Sequence, residues 1–316
     1  MKIAVTPVFF KQDTGKNALE MLRSFSDDII FGSHGNPLSE DELIPFLSGC
    51  DGYIADLDFV TRKVIENTPG LKVISRFGVG YDRIDVKAAR EKGIAVCNTP
   101  GANSNAVADL AFALLLGVTR KIPSLDSATR KGQWPRSTGV ELYGKTIGIL
   151  GLGAIGRAVA KRASGFSMKI MAYDPFIDRE YAAANKIIAA SFEEVIREAD
   201  FISLHLPYSE KARYIISGKA MRNMKKGAVI INTARGGLID ETAACELLES
   251  GHLGGLGLDV FDTEPPGSSA LFKLDNVVVT PHIGAYTSEA IAGMAELSVK
   301  NLVEVLSGKN CQNVVN

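Results

Sequence analysis

The apolar residues of this chain come in short unbroken bursts, and longer mixed stretches with helical spacing separate them. Up to Thr99 the bursts are KIAVT, DDIIF, GYIA, LKVIS and IAVC. Unbroken aliphatic runs of this length read as strands covered on both faces. ELIPFL and TRKVIEN, which lie between bursts, read as helices. Strand and helix in alternation predict a parallel sheet with helices packed on both sides.

Residues 103–120, NSNAVADLAFALLLGVTR, predict a long apolar helix, rich in Ala and Leu and free of proline. The next stretch, KIPSLDSATRKGQWPRSTGVELYG, is polar and carries Gly, Trp and Pro. It reads as a connector or a dimer arm. A second alternating series starts at Lys145 with TIGIL, KIMAYD, ADFISLHLP, GAVIINTA, GLGLDVF and NVVVTPH. Helical periodicity returns from Ser288 to Leu306. No internal repeat or low-complexity segment interrupts the pattern. The expected fold class is α/β, with two doubly wound parallel-sheet units, the second beginning close to Pro100.

Composition narrows the class. A length of 316 residues calls for two domains, because single cores rarely grow beyond about 250 residues. The apolar fraction of 46% and charged fraction of 22% are those of an ordinary globular protein. Thirty-five basic residues balance thirty-six acidic ones, which argues against a sequence-independent grip on nucleic acid or an anionic membrane. Cys50, Cys97, Cys245 and Cys311 form no CxxC pair. Neither a disulfide framework nor a metal site is expected, and a reducing cytoplasm fits. MKIAVTPVFF does not read as a signal peptide, and no apolar run reaches the length of a membrane span.

Residues 146–156, TIGILGLGAIG, place Gly151, Gly153 and Gly156 in a G-x-G-x-x-G pattern. Such triplets recur by chance, but here a strand precedes the pattern and a helix follows it. Gly151 permits the tight turn, Gly153 lets backbone approach a pyrophosphate, and Gly156 lets helix pack on strand. The helix start, with the amides of Ala154 and Ile155, faces phosphates with a positive dipole end. Asp174 ends the next strand, where the acidic residue of a dinucleotide fingerprint falls. A carboxylate there accepts the ribose 2′-hydroxyl and repels a 2′-phosphate, so NAD is preferred over NADP. Pro175 and Phe176 add no basic residue, and Arg179 is the nearest complication.

Ligands of this fold gather at the carboxyl ends of strands. Three candidate residues follow strands of the second series. Arg235 follows GAVIINTA, in a position to hold a carboxylate with two parallel hydrogen bonds. Glu264 follows GLGLDVF and precedes two prolines that stiffen its backbone. His282 follows VVVTP, and imidazole is the side chain suited to proton transfer near neutral pH. Each alone admits an ordinary reading as a surface arginine, an acidic turn or a turn histidine. Together they form a coherent constellation.

RFGVGYDRIDV, GKTIGILGLGAIGRAVA, NTARGGLID, GLDVFDTEPP and TPHIGAYT resemble the D-isomer-specific 2-hydroxyacid dehydrogenases. Phosphoglycerate dehydrogenase, glyoxylate/hydroxypyruvate reductase and D-lactate dehydrogenase belong to that family. The resemblance runs from about residue 70 to the end of the chain. It implies a Rossmann NAD-binding domain over residues 100–285, inserted in a flavodoxin-like substrate domain made of residues 1–99 and 286–316. It also implies an active site in a cleft that closes by a hinge, and a homodimer formed through the NAD domain. In the implied roles Arg235 binds the substrate carboxylate and carbonyl oxygen, His282 is the acid/base, and Glu264 pairs with His282. Asp259 contacts the nicotinamide end, Thr233 and Pro207 line the cofactor cleft, and amides around Val79 and Gly80 hold the substrate carboxylate. The substrate would be a small 2-hydroxy or 2-oxo acid.

The chain departs from the family pattern in places. Phosphoglycerate-type members carry an arginine-serine pair after the third strand, whereas YIADLDFVT brings Asp56 and Asp58, which would repel a phosphate. Arg76 is the remaining anion contact. A chain ending at Asn316 leaves no room for a C-terminal regulatory domain, so control by serine is not expected. PYSEKARYI replaces a stretch that usually carries threonines. His205 is read as structural, although its strand end could bring it near a nicotinamide. Trp134 is read as dimer packing, in an arm that in some relatives enters the partner's active site. His34 and His252 are read as turn residues. The alternative function is an NAD(H)-sensing, corepressor-like binding protein on the same scaffold. Near-zero net charge and the absence of an added interaction tail favour the enzyme.

Overall fold

A computed structural model describes residues 1–32 and 37–316. His34 lies outside the described residues. The chain divides into two compact units, one formed by Met1–Asn103 and Ala285–Asn316, the other by Ser104–Gly284. Among the described residues no helix is long and apolar enough to cross a membrane.

The first unit contains β1 (Ile3–Val5), β2 (Ile29–Phe31), β3 (Gly52–Ala55), β4 (Val73–Arg76) and β5 (Ala95–Cys97). Their order is β2-β1-β3-β4-β5, and every pairing is parallel. This is the flavodoxin-like order. Four of these strands lie within their predicted bursts, and β4 runs one residue past LKVIS to Arg76. The helix Ser288–Leu306, predicted with the same bounds, buries Ile291, Met294, Ala295, Val299 and Leu302 against Ile3, Val5, Ile54 and Val73. Val315 N donates to Val96 O at 2.8 Å, which ties the last residues to β5. All four cysteines are free thiols. Cys97 and Cys311, distant in sequence, nevertheless bring their sulfurs to 3.8 Å.

The second unit contains β6 (Thr146–Leu150), β7 (Lys169–Tyr173), β8 (Ile188–Ala189), β9 (Phe201–Leu204), β10 (Ala228–Asn232), β11 (Leu253–Leu258) and β12 (Val277–Val279). The order β12-β11-β10-β9-β6-β7-β8 is all parallel and reverses direction between β6 and β9. It is the Rossmann order with a seventh strand added at one edge. β8 has only two residues at the opposite edge, too short to stand out as an apolar burst.

Period-two alternation sends successive side chains to opposite faces. Ile147, Ile149 and Ile231 meet Phe112, Leu115, Val159 and Ala163 on one face. Leu150, Ile202, Leu204 and Ile230 meet Val195, Met221, Ala244 and Leu248 on the other. Each face is thus covered by helices, which is why these strands are apolar throughout.

The polar stretch after Arg120 is not a plain connector. It opens with the helix Ile122–Arg130, which buries no residue, and residues 131–140 that follow are all exposed.

The helix Ala154–Gly165 packs so closely on β6 that a Cβ on Gly156 would lie 2.0 Å from the Gly151 carbonyl oxygen. Backbone cannot move aside as a flexible side chain can. Gly156→Ala should therefore destabilise the fold by roughly 1–3 kcal/mol, the usual cost of overpacking. Urea unfolding measures this; a midpoint equal to that of the native chain would refute the close packing.

Candidate active site

Six strands of the second unit end on one line. Pairing sets Tyr173, Leu150, Leu204, Asn232, Leu258 and Val279 side by side across β7, β6, β9, β10, β11 and β12. Adjacent parallel strands lie about 4.8 Å apart. Asp174, Gly151, His205, Thr233 and Asp259 are each the first residue past that line. Pro207, Arg235 and His282 are each the third. Glu264 arrives from the loop after β11.

At one end stands the glycine turn. Gly151 has φ 102°, which favours glycine, and its amide donates to Tyr173 O at 2.8 Å. Asp174 faces this turn. Its Oδ2 accepts the Leu152 amide at 2.8 Å and its Oδ1 accepts the Phe176 amide at 2.8 Å. A Cβ on Gly153 would meet no protein atom within 4 Å. The chain's own packing therefore does not require glycine there, while backbone approach to a pyrophosphate does. The amides of Ala154 and Ile155 begin the helix beside it.

At the other end, Asn232 is fully buried and folds the turn that follows it. Its Oδ1 accepts the Ala234 amide at 3.0 Å and its Nδ2 donates to Arg235 O at 2.7 Å. Arg235 is part-buried, and its Nη1 donates to Ala234 O at 2.7 Å. A Cβ on Gly236 would fall 1.9 Å from the Phe261 carbonyl, so the Arg235 loop sits directly on the loop that carries Glu264. Glu264 places its Oε1 and Oε2 3.1 and 3.0 Å from His282 Nδ1. Both side chains stay partly accessible.

Asp259 is the pin of this corner. It is 1% exposed, and it accepts Thr280 Oγ1 at 2.6 Å, the Ile283 amide at 2.8 Å and the Gly284 amide at 2.8 Å. These bonds clasp both sides of His282, whose φ of 54° is uncommon for a residue other than glycine. Burial pushes the Asp259 carboxyl up from its ordinary value, against the pull of its three donors. The residue expected at the nicotinamide end thus spends its carboxylate on the histidine turn.

Two buried polar atoms at the line's centre, His205 Nδ1 and Thr233 Oγ1, have no hydrogen-bond partner among the described residues. They stand at equivalent positions on the neighbouring strands β9 and β10. Leaving such atoms unpaired costs about 1–3 kcal/mol each, a cost that a polar ligand at the strand ends would offset. Together with the open space at Gly153, they fit a dinucleotide. A third such atom is Ser104 Oγ, at the start of the helix Ser104–Thr119. Val107 of that helix lies beside Gly284, where a Cβ would be 3.5 Å away. Sequence reasoning passed over Asn232 and Ser104. Asn232 read as the last residue of a strand and Ser104 as part of a helix, although a serine at a helix start was a usable signal.

In the first unit Arg76 ends β4 and is largely occupied. Its Nε donates to Gly80 O at 3.1 Å, its Nη1 to the carbonyls of Ala55 and Phe77, and it pairs with Asp56 at 3.7 Å. Val79 O accepts Asn98 Nδ2 at 2.8 Å. Asp58 is buried and accepts from Thr6 Oγ1, Tyr53 OH and the Leu38 amide at 2.6, 2.6 and 2.7 Å. It belongs to the scaffold, which leaves Asp56 as the carboxylate at this strand end. His252 in its turn bonds Met221 O through Nε2 at 2.9 Å.

A sheet of this order, with a glycine turn and an acidic residue at the next strand end, defines a dinucleotide-binding α/β protein. Residues 112–284 match the family model of the D-isomer specific 2-hydroxyacid dehydrogenase, NAD binding domain. The glyoxylate reductase of Thermococcus litoralis is 41% identical over 98% of this chain and 96% of its own length. The D-3-phosphoglycerate dehydrogenase of Methanocaldococcus jannaschii is 45% identical over 88% of this chain, which spans 54% of that protein. A solved acyclic imino acid reductase in complex with NADPH and D-Arg superposes with a TM-score of 0.88 at 31% identity, over 100% of both chains. The chain belongs to the D-isomer-specific 2-hydroxyacid dehydrogenase family.

His205 yields a pH dependence. Its Nε2 lies 2.8 Å from Ser203 Oγ, and burial drives its pKa from 6.5 down to about 3. Below pH 6.5 the unfolded chain takes up a proton that the folded chain refuses, so stability is full above that pH and is lost as pH falls towards 3. His205→Gln should remove a slope of up to about 1.4 kcal/mol per pH unit in this window. Urea titrations across the window check it; an unchanged slope would contradict the buried, neutral ring.

Proposed function

We propose that this chain interconverts a small D-2-hydroxy acid and its 2-oxo acid, with NAD(H) preferred over NADP(H). The observation that carries this reading is the His282–Glu264 pair, seated against the Arg235 loop on the same line of strand ends as the glycine turn. The nicotinamide, when bound, supplies the hydride acceptor or donor. Gly151, Gly153, Gly156 and the amides of Ala154 and Ile155 would hold the pyrophosphate. Asp174 would hold the ribose, with Pro207 and Thr233 lining the site. Asp259 would act near the nicotinamide chiefly through the His282 turn that it braces.

Arg235 binds the substrate carboxylate and the oxygen that changes charge during reaction. His282 gives a proton to that oxygen in reduction and takes the hydroxyl proton in oxidation. With Nδ1 engaged by Glu264, this exchange falls to Nε2. Glu264 fixes the ring's orientation and stabilises its cation, as the carboxylate of a catalytic triad does. In the first unit Arg76 shapes the loop of Val79 and Gly80 through its bond to Gly80 O rather than gripping substrate itself. The Asp56 partner offsets the Arg76 charge, which favours an acid without a phosphate.

A similar fold holds NADPH in the imino acid reductase. The fold therefore leaves cofactor choice open, and Asp174 supports NAD. The exposed helix Ile122–Arg130 and Trp134, 80% exposed, support a homodimer formed through this unit. The balanced charge supports a protein free of nucleic acid, and the four free cysteines fit a reducing cytoplasm.

NADH oxidation should be seen with at least one of glyoxylate, hydroxypyruvate and pyruvate, and should be weaker with 3-phosphohydroxypyruvate. Tight NADH binding with no acid reduced would instead establish the sensing protein. His282→Ala should lower kcat by at least about 100-fold, the usual contribution of a general acid, with NADH affinity retained. An undiminished kcat would remove His282 from the chemistry.

A further inference from the structure

The corner where Asp174 stands also contains a cation. Arg157 Nε donates to Leu152 O at 3.2 Å, and the Leu152 amide donates to Asp174 Oδ2 at 2.8 Å. Arginine and aspartate thus engage the same residue of the glycine turn from its two ends. The guanidinium is already engaged elsewhere as well. Its Nη2 donates to Asp178 Oδ2 at 3.0 Å, and it lies 3.9 Å from the centroid of the Tyr181 ring.

We infer that Asp178 is a second determinant of cofactor choice, because it engages the Arg157 guanidinium, which is held against the glycine turn and could receive a 2′-phosphate. The inference rests on the reading of the glycine turn as the dinucleotide site. Asp174 acts directly, by repelling a phosphate and accepting hydroxyls. Asp178 acts through Arg157, as a positioning residue. The Arg157–Asp178 pair is half-exposed, with side chains 37% and 46% accessible. Pairs of this kind are weak. The guanidinium is therefore held by geometry and a modest charge attraction, and a phosphate would compete for it once that attraction is gone. A guanidinium grips phosphate with two parallel N–H donors, which makes it the side chain most suited to the task.

This arrangement makes the two carboxylates interdependent. Removing Asp174 alone takes away the repulsion but leaves Arg157 engaged. Removing the Asp178 charge alone frees Arg157 but leaves the repulsion. NADPH should gain fully only when both are changed. Asp178 also caps the helix Arg179–Ala184, its Oδ1 accepting the Tyr181 amide at 3.0 Å. Asparagine caps as well as aspartate, so Asp178→Asn removes the charge and spares the helix.

NADH and NADPH dissociation constants, measured by fluorescence titration, test the inference without turnover. The proteins are the native chain, Asp174→Ala, Asp178→Asn, the double variant, and the double variant with Arg157→Gln. The double variant should bind NADPH about tenfold more tightly than Asp174→Ala, the scale of one charge-assisted contact. Adding Arg157→Gln should abolish that gain, and a cooperative urea-unfolding transition confirms that each variant is folded. A double variant no better than Asp174→Ala overturns the inference, as does a gain that survives Arg157→Gln. A native chain that binds neither nucleotide overturns the cofactor reading itself, and the inference with it.

Discussion

The lateral register of the seven-stranded parallel sheet is the constraint on which the site depends. Parallel pairing aligns Leu150, Tyr173, Leu204, Asn232, Leu258 and Val279. Everything chemically interesting in the second unit lies within a few residues beyond that line. A slip of one residue in any pairing would turn that strand's apolar side chains to the wrong face of a sheet buried on both sides. The hydrophobic layers therefore set the register, and the register sets the positions of Arg235, Asp259 and His282. Packing and function are coupled through the same hydrogen bonds.

Beyond the strand ends, buried polar side chains take over from hydrophobic packing. Asn232 folds the arginine turn, and Asp259 folds the histidine turn. Both are buried, so their hydrogen bonds are shielded from water. Asp259 clasps the backbone on both sides of a left-handed His282, and Glu264 holds its ring. A histidine supported at backbone and ring is placed far more narrowly than a loop residue would be. Such preorganisation is what proton transfer at a defined distance requires.

Much of this was legible in the sequence. Eleven of the twelve strands and the long apolar helices showed as apolar bursts and helical runs at or near their observed bounds, because burial on both faces writes itself locally. β8 alone escaped, being two residues at an edge. The glycine turn and Asp174 were legible because a tight turn, a close packing and a strand end each restrict residue type at a single position. The helix Ile122–Arg130 was less legible, because it buries nothing and its few apolar residues sit in a polar stretch with Gly, Trp and Pro.

What the sequence by itself determined is the inventory: two alternating series, a dinucleotide fingerprint, and an arginine, a glutamate and a histidine past strand ends. Tertiary structure decided the partners. Asp58 is absorbed into the scaffold by Thr6 and Tyr53, while Asp56 pairs with Arg76. Asp259 holds the histidine turn, and Asp178 engages Arg157. The physical reason is that a charge's partner is whichever strand end or loop lies next to it in space. Strand order, which reverses between β6 and β9, does not follow chain order. Residue types reveal what chemistry is present; only the fold determines which charges are spent on structure and which remain for a ligand.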